Sequence, residues 1–526
     1  MVDGSGRPGF RADVAVEDGR IVALGSLEGA AAREALDITG LAVCPGFIDM
    51  HSHSDTPLLV DGRGLSKVHQ GVTTEVIGNC GSSPAPLTDD AAPVVTQMHG
   101  TAGRAVAELP WDWRRFGDFL GRLEGGGIGL NVIALAGHST LRAVSMGFDR
   151  RPPTDAELDR MKGLLVEAMD DGAWGVSSGL IYPPSCYSDT DELVALAEVA
   201  AARGGFYFSH IRGEGAPLLR AVAEACEIGE RADLPVQIAH HKASGQPYWG
   251  RVRESLQLID WANERGLDVA FDVYPYTAAS SSLTSAIPAW ALEGGVPRLL
   301  ERLRDPATRA RLAAEGPALA REYDKTYIGL VRTEANKPLE GLSVAEIAER
   351  RGVAPADALF DLLIEENGSV SAIFFAMDEA DVRRVLSHPR AMIGSDGRAL
   401  ASDGPLGEGR PHPRYYGTFP RVLGHYARDE GLFSQEQAVY KMSGRPAERL
   451  GLRTKGRVAP GFDADLTVYD PAAVIDRATF AEPHRFPAGI PHVIVNGVLA
   501  VRDGQHTGAR VGRVIRHGVT STSSRR

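Results

Sequence analysis

The chain has 526 residues, 43% of them hydrophobic and 24% charged, enough apolar material for one large domain with a smaller unit beside it. Its formal net charge is −12, which argues against a general nucleic-acid binder, because such a protein needs a basic footprint. Cys44, Cys80, Cys186 and Cys226 lie far apart with no CxxC pair, so no disulfide framework is expected.

The first residues, MVDGSGRPGFRADVAVEDGR, contain no apolar leader core, and no apolar run reaches the roughly 18 residues of a membrane span. Neither a secretory signal nor a membrane partner is expected, and the default compartment is the cytoplasm. Residues 11–25, RADVAVEDGRIVALG, hold two β-like runs around an Asp-Gly turn, a hairpin signal. At the other end, GRVAPGFDADLTVYD and PHVIVNGVLAVRDG have the same texture, the second with an Asn-Gly turn. Residues 1–45 and 450–526 therefore read as all-β, and the final TSTSSRR reads as a disordered tail.

Between them, residues 46–449 alternate. Short apolar runs (NVIALAGH, WGVSSGL, GFYFSH, PVQIAHH, DVAFDVYPY, AMIGSDG) are separated by amphipathic stretches such as TDAELDRMKGLLVEAMDDG and RESLQLIDWANERG. That alternation predicts β/α units around a parallel sheet. Eight units close a barrel of about 250 residues, and the excess length fits an insertion at about residues 280–345.

In such a barrel, functional groups lie at the carboxyl ends of the strands. GFIDMHSH ends on His51 and His53, whose i, i+2 spacing puts both imidazoles on one face of an extended segment. Two neutral imidazoles there can hold one metal, although a lone HxH also fits two surface histidines. Cys80, in GNCGSSP, reads either as a small core residue or as a thiolate ligand for zinc. His210 ends GFYFSH and His240 ends the PVQIAH run; each also fits a buried, satisfied histidine. His241 should face away from His240, and Lys242 should share the His240 face. Asp396, in GSDG, fits an Asx turn or a base at the barrel mouth.

Nine segments in order carry a resemblance: PGFIDMHSHSD, IGNCGSSPAP, GVSSGLIYPP, FSHIRGE, IAHHKASG, VYPYTA, GSDG, HPRYYGTFPRVL and MSGRPAERLGL, with GRVAPGFDADLTVYD closing the chain. Over nearly its whole length the sequence resembles the D-aminoacylase (N-acyl-D-amino-acid deacylase) family of the amidohydrolase superfamily. The resemblance implies an α/β fold, a distorted (β/α)8 TIM-type barrel with a small β-sandwich built from both termini. It implies zinc, with Cys80, His210 and His240 holding one tightly bound ion. His51, His53, Cys80 and Asp396 would form a second, weaker site.

The implied reaction is hydrolysis of an N-acyl-D-amino acid to a carboxylate and a free D-amino acid, with Asp396 as general acid/base. Lys242 is expected to reach the substrate's α-carboxylate, together with Tyr274 or Tyr276, which are i, i+2 neighbours. Tyr182, like His53, is expected to steady the tetrahedral oxygen. Arg212 and Arg414 are further candidates, for the substrate or for orienting another side chain. LIYPP and the insertion are expected to line the side-chain pocket. The competing reading is a cyclic amidase of the dihydroorotase or hydantoinase kind. Those enzymes usually bridge two metals with a carbamylated lysine on the fourth strand, and no lysine occurs here between Lys162 and Lys242.

Overall fold

Eight short parallel strands form the barrel of the computed structural model, which describes residues 1–320 and 322–518. They are β1 (Phe47–Asp49), β2 (Val72–Ile77), β3 (Asn131–Ala134, resumed at Ala136–Gly137), β4 (Gly175–Gly179), β5 (Phe206–His210), β6 (Val236–Ile238), β7 (Val269–Val273) and β8 (Ala391–Ile393). Each pairs in parallel with the next. The ring closes where Ser52 bridges Gly397 and the Met50 N–H donates to the Ile393 carbonyl at 3.2 Å. Alternate strand residues fill the interior, among them Ile48, Met50, Val76, Ile133, Phe208 and Met392. The others pack outward against helices. The helix Leu218–Ala232 shows the matching pattern, burying Ala221, Val222, Ala225 and Ile228 on one stripe.

Both ends of the chain build one β unit. A five-stranded antiparallel sheet joins Ala42–Pro45 to Leu466–Tyr469, His492–Val495, Val498–Arg502 and Gln505–His506. The hairpin Asp13–Glu17/Arg20–Gly25 packs on it through Ile21, Val43, Leu466 and Val468. Its turn residues Asp18 and Gly19 have φ of 47° and 77°, the double positive φ of a two-residue hairpin. Gly46 links this sheet to β1, and a Cβ there would meet Thr73 Oγ1 at 2.2 Å, so only glycine passes. The C-terminal segment then leaves the sheet: Val514 bridges Val132, and the Ile515 N–H donates to the Val132 carbonyl at 2.7 Å. The TSTSSRR tail lies outside the described residues.

The insertion is longer than the 280–345 expected. Its antiparallel sheet uses Ala278–Ser282, Thr326–Leu330 and Ser371–Phe375, with the last strand in the middle. Leu299, Leu303, Ile328, Ile347, Leu359 and Phe374 belong to a core of its own. The apolar run SAIFF at 371–375 does not by itself distinguish a barrel strand from an insertion strand. Among the described residues, no helix is long and apolar enough to cross a membrane.

Candidate metal centre and substrate cavity

The donors singled out in the sequence stand at strand ends on one rim. His51 and His53 follow β1, Cys80 follows β2, His210 ends β5, His240 follows β6 and Asp396 follows β8. Cys80 Sγ lies 3.3 Å from His51 Nε2 and 3.7 Å from both His210 Nδ1 and His240 Nε2. Asp396 Oδ1 lies 3.1 Å from His53 Nε2 and 3.6 Å from His51 Nε2. All are buried except His53, which is half-buried. Cys80, His240 and Asp396 adopt positive φ, at 52°, 34° and 48°, a region that costs a non-glycine residue about 1–3 kcal/mol. Fold contacts hold two of them there. The His240 N–H donates to Asp272 Oδ1 at 2.9 Å, and the Asp396 N–H donates to the His51 carbonyl at 2.8 Å.

Charge in the cluster is strongly coupled. Burial pushes the Cys80 thiol up, but the imidazoles of His51, His210 and His240 outweigh it and hold the thiol well below its usual range. Burial likewise opposes ionisation of Asp396, and the Arg414 guanidinium with His53 and His51 holds that carboxyl well below the carboxylate range. For His53 burial pulls down, and its bonds to Asp396 and Cys80 prevail, raising it to about 9. The cluster thus presents a thiolate and a carboxylate to whatever cation neutralises them.

The donor set fits a metal. A tetrahedral zinc with sulfur at about 2.3 Å and imidazole nitrogen at about 2.0 Å separates those ligand atoms by about 3.5 Å, and the three S···N distances of 3.3–3.7 Å bracket that value. Hydrogen bonds alone do not account for three ring nitrogens converging on one sulfur. Two carboxylates back the rings: Glu214 Oε1 lies 3.1 Å from His240 Nδ1, and Asp272 Oδ1 lies 3.2 Å from His51 Nδ1. Such partners fix ring orientation. Both escaped the sequence reading. Their signals were a glutamate four residues after His210 and a lone carboxylate inside the apolar strand VAFDV.

A cavity of about 280 Å³ opens beside the cluster, lined in part by Cys80, His53, Asp396, Tyr182, Arg414 and Arg398. Arg414 Nη1 sits 2.9 Å from Asp396 Oδ2, and the guanidinium stacks 4.7 Å from the Tyr274 ring centre. The Tyr182 ring lies 5.0 Å from that of His210, and the Ser281 hydroxyl donates to its phenol oxygen at 3.1 Å. Ser280, Ser281 and Ile287 bring the insertion into the wall, and Ile181 and Pro183 bring in LIYPP.

Four other substrate candidates do not line this cavity. Lys242 does share the His240 side, with Nζ 2.9 Å from His240 Nδ1, but it is ion-paired to Glu214 and lines a separate small space with Tyr274. The buried Tyr274 ring has the Lys242 ammonium 5.5 Å and the Arg414 guanidinium 4.7 Å from its centre. The Tyr276 hydroxyl is 3.5 Å from Asp476 Oδ2, with Arg421 stacked on its ring, outside the cavity wall. Arg212 turns back to Glu224 on the helix behind β5. For Lys242 and Arg212 a neighbouring carboxylate, invisible in the local sequence, holds the cation.

The amidohydrolase family matches the chain over residues 34–501. The chain belongs to the amidohydrolase family. Within that family it is 41% identical over 515 residues to D-aminoacylase of Alcaligenes xylosoxydans xylosoxydans, covering 98% of this chain and 96% of that protein. It is 38% identical over 522 residues to N-acyl-D-glutamate deacylase of the same organism, covering 98% and 95%. Its fold superposes on the crystal structure of N-acyl-D-glutamate deacylase from Bordetella bronchiseptica, complexed with zinc and a phosphonate inhibitor. The TM-score is 0.82 at 35% identity, covering 98% of this chain and 97% of that one.

Proposed function

We propose that this chain hydrolyses the amide bond of N-acyl-D-amino acids, with zinc at the rim cluster and Asp396 as the residue that moves the proton. The deacylase relatives along the full chain support the reaction and the hand of the substrate. The observation that carries the chemistry is the convergence of Cys80, His210 and His240 beside a buried, ionised Asp396. Cys80, His210 and His240 would hold one ion, and His51, His53, Cys80 and Asp396 a second, weaker one. A bound zinc supplies Lewis-acid polarisation of the acyl carbonyl and acidifies a water.

The chain's own groups do the rest. Asp396 accepts the proton of the attacking water on Oδ1, the oxygen that faces His53 and His51. Its Oδ2 stays against Arg414, which fixes the plane of the carboxylate. The same oxygen then returns the proton to the departing nitrogen, so the amine leaves neutral. His53 and Tyr182, both on the cavity wall, steady charge on the tetrahedral oxygen. The absence of lysine from the β4 strand GVSSG weighs against a carbamate-bridged cyclic amidase, and Cys80, common to both proposed ligand sets, would take the place of that lysine.

The test is a panel of N-acetyl-D- and N-acetyl-L-amino acids alongside a hydantoin, with zinc measured per chain. Turnover confined to the D series, lost with zinc removal and restored by zinc, is the expected result. Hydantoin turnover without N-acetyl-D-amino-acid turnover overturns the proposal.

A further inference from the structure

Arg398 is the cation of the cavity that no carboxylate claims. It lines the cavity two residues after Asp396. Its Nη1 donates to the Thr101 carbonyl and its Nη2 to Thr101 Oγ1, both at 2.8 Å. Among the described residues no aspartate or glutamate lies within ion-pair distance of it, whereas Arg414 is spent on Asp396. The other carboxylate on the wall, Asp55, accepts the Gly78 N–H at 2.7 Å.

The backbone carrying Arg398 is fixed rather than loose. Ser66 Oγ donates to the Arg398 carbonyl at 3.2 Å, the Ala399 N–H donates to Ser54 Oγ at 2.8 Å, and the Leu400 N–H donates to Ser66 Oγ at 2.8 Å. A guanidinium held this way keeps its remaining donors aimed for a planar anion. Leaving it half-buried without a counter-charge costs free energy that a bound carboxylate recovers.

We infer that Arg398 selects substrates bearing a second carboxylate beyond the α-carboxylate. The inference rests on the deacylase reading above. The second carboxylate can sit on the amino-acid side chain or at the end of the acyl group. Both present the same chemistry to the guanidinium, and the substrate arms tell them apart.

The experiment compares two near-isosteric pairs on the zinc-loaded full-length enzyme: N-acetyl-D-glutamate with N-acetyl-D-glutamine, and N-succinyl-D-leucine with N-butanoyl-D-leucine. Each is measured with wild type, R398M and R398K. In wild type the charged member of one pair is expected to lead in kcat/KM by about ten- to a hundredfold. That ratio collapses toward one in R398M and partly returns in R398K. The pair that shows the ratio identifies where the second carboxylate sits. Ratios near or below one in wild type overturn the inference, as does a ratio that survives R398M. A fall by one common factor for all four substrates in R398M assigns Arg398 to holding Thr101, and overturns it too. Turnover of the neutral members without discrimination leaves the deacylase reading standing; no turnover of any of the four by the wild type removes both.

Discussion

Two buried polar clusters share the carboxyl-terminal rim of the barrel, only a few residues apart in the chain. The first gathers Cys80, His51, His210, His240 and Asp396. The second lies behind it, where Lys67 Nζ donates to Asp49 Oδ2 at 2.7 Å, Ser395 Oγ at 2.6 Å and the Gly397 carbonyl at 3.3 Å. Glu75 joins it by accepting the hydroxyls of Ser52 and Ser54 at 2.6 and 2.9 Å. Lys67, Asp49 and Glu75 are fully buried. The second cluster carries its own cation and leaves the Lys67 ammonium no open direction. The first has two anionic groups, imidazoles turned toward one sulfur, and an open cavity at its side. The second sits at the β1–β8 seam, where the first has His51, His53 and Asp396, so the complete cluster positions that side of the incomplete one: Ser395 and Gly397 flank Asp396 on both sides.

The comparison breaks most sharply at Asp396. Asp396→Asn keeps the shape but removes the proton acceptor, and kcat/KM is expected to fall by about 10³-fold or more, with zinc retained at the Cys80, His210 and His240 site and a lower Tm because Arg414 loses its buried counter-charge. Full activity in that variant would return Asp396 to a purely structural place. Next in size is Lys67→Met. Removing one partner of a buried ion pair costs about 3–5 kcal/mol, so a large fall in Tm is expected. Adding Asp49→Asn should recover part of the loss, because one fewer uncompensated charge then stays buried. A double variant that loses the sum of the two single effects would show that the pair is not coupled.

Lys441 sharpens the contrast, being a buried lysine with no carboxylate within ion-pair distance among the described residues. Its Nζ donates to the His388 carbonyl at 2.6 Å and faces the Phe433 ring and Arg445. Burial first, then the Arg445 charge, lowers it to about 7. Between pH 7 and its unfolded value near 10.5 the unfolded chain holds a proton that the native chain has released. Stability therefore rises with pH across that window, by at most about 1.4 kcal/mol per pH unit. Lys441→Met should flatten that slope and raise Tm at neutral pH. Denaturant melts at several pH values from 7 to 10 check this, and an unchanged slope in the variant rules it out.

The sequence was legible where a residue's role follows from its own strand. Every barrel strand from GFIDMHSH to AMIGSDG was an apolar run with turns at its ends, and its last residues necessarily point to the rim. The Asp-Gly and Asn-Gly turns of the β unit were equally local signals. What depends on partners far along the chain was not legible. Lys67 sits in LSKVHQG, a stretch with no sign of the Asp49 and Ser395 that enclose it. Arg398 follows GSDG and reads as one more loop arginine until Thr101 and the cavity are placed beside it. Nothing in SAIFF says which sheet it joins, and only pairing puts it in the middle of the insertion sheet.

Arg212 is the same lesson with the smallest expected effect. From SHIRGE it read as a guanidinium for the substrate or for orienting another side chain, two residues past a ligand candidate. In the fold its Nε and Nη2 grip Glu224 at 2.8–3.0 Å, its Nη1 donates to the Cys186 carbonyl at 3.3 Å, and the Thr190 hydroxyl donates to the same Glu224 at 3.0 Å. The residue ties the loop after β5 to the two helices Thr190–Ala201 and Leu218–Ala232. A partly exposed pair of this kind contributes about 1 kcal/mol, so Arg212→Ala should lower Tm by a few degrees and change KM and kcat by less than about threefold. A KM raised tenfold or more at unchanged kcat would mean that the guanidinium leaves Glu224 to meet the substrate. The cavity would then be larger on that side than its wall, drawn from Tyr182 to Arg414, encloses.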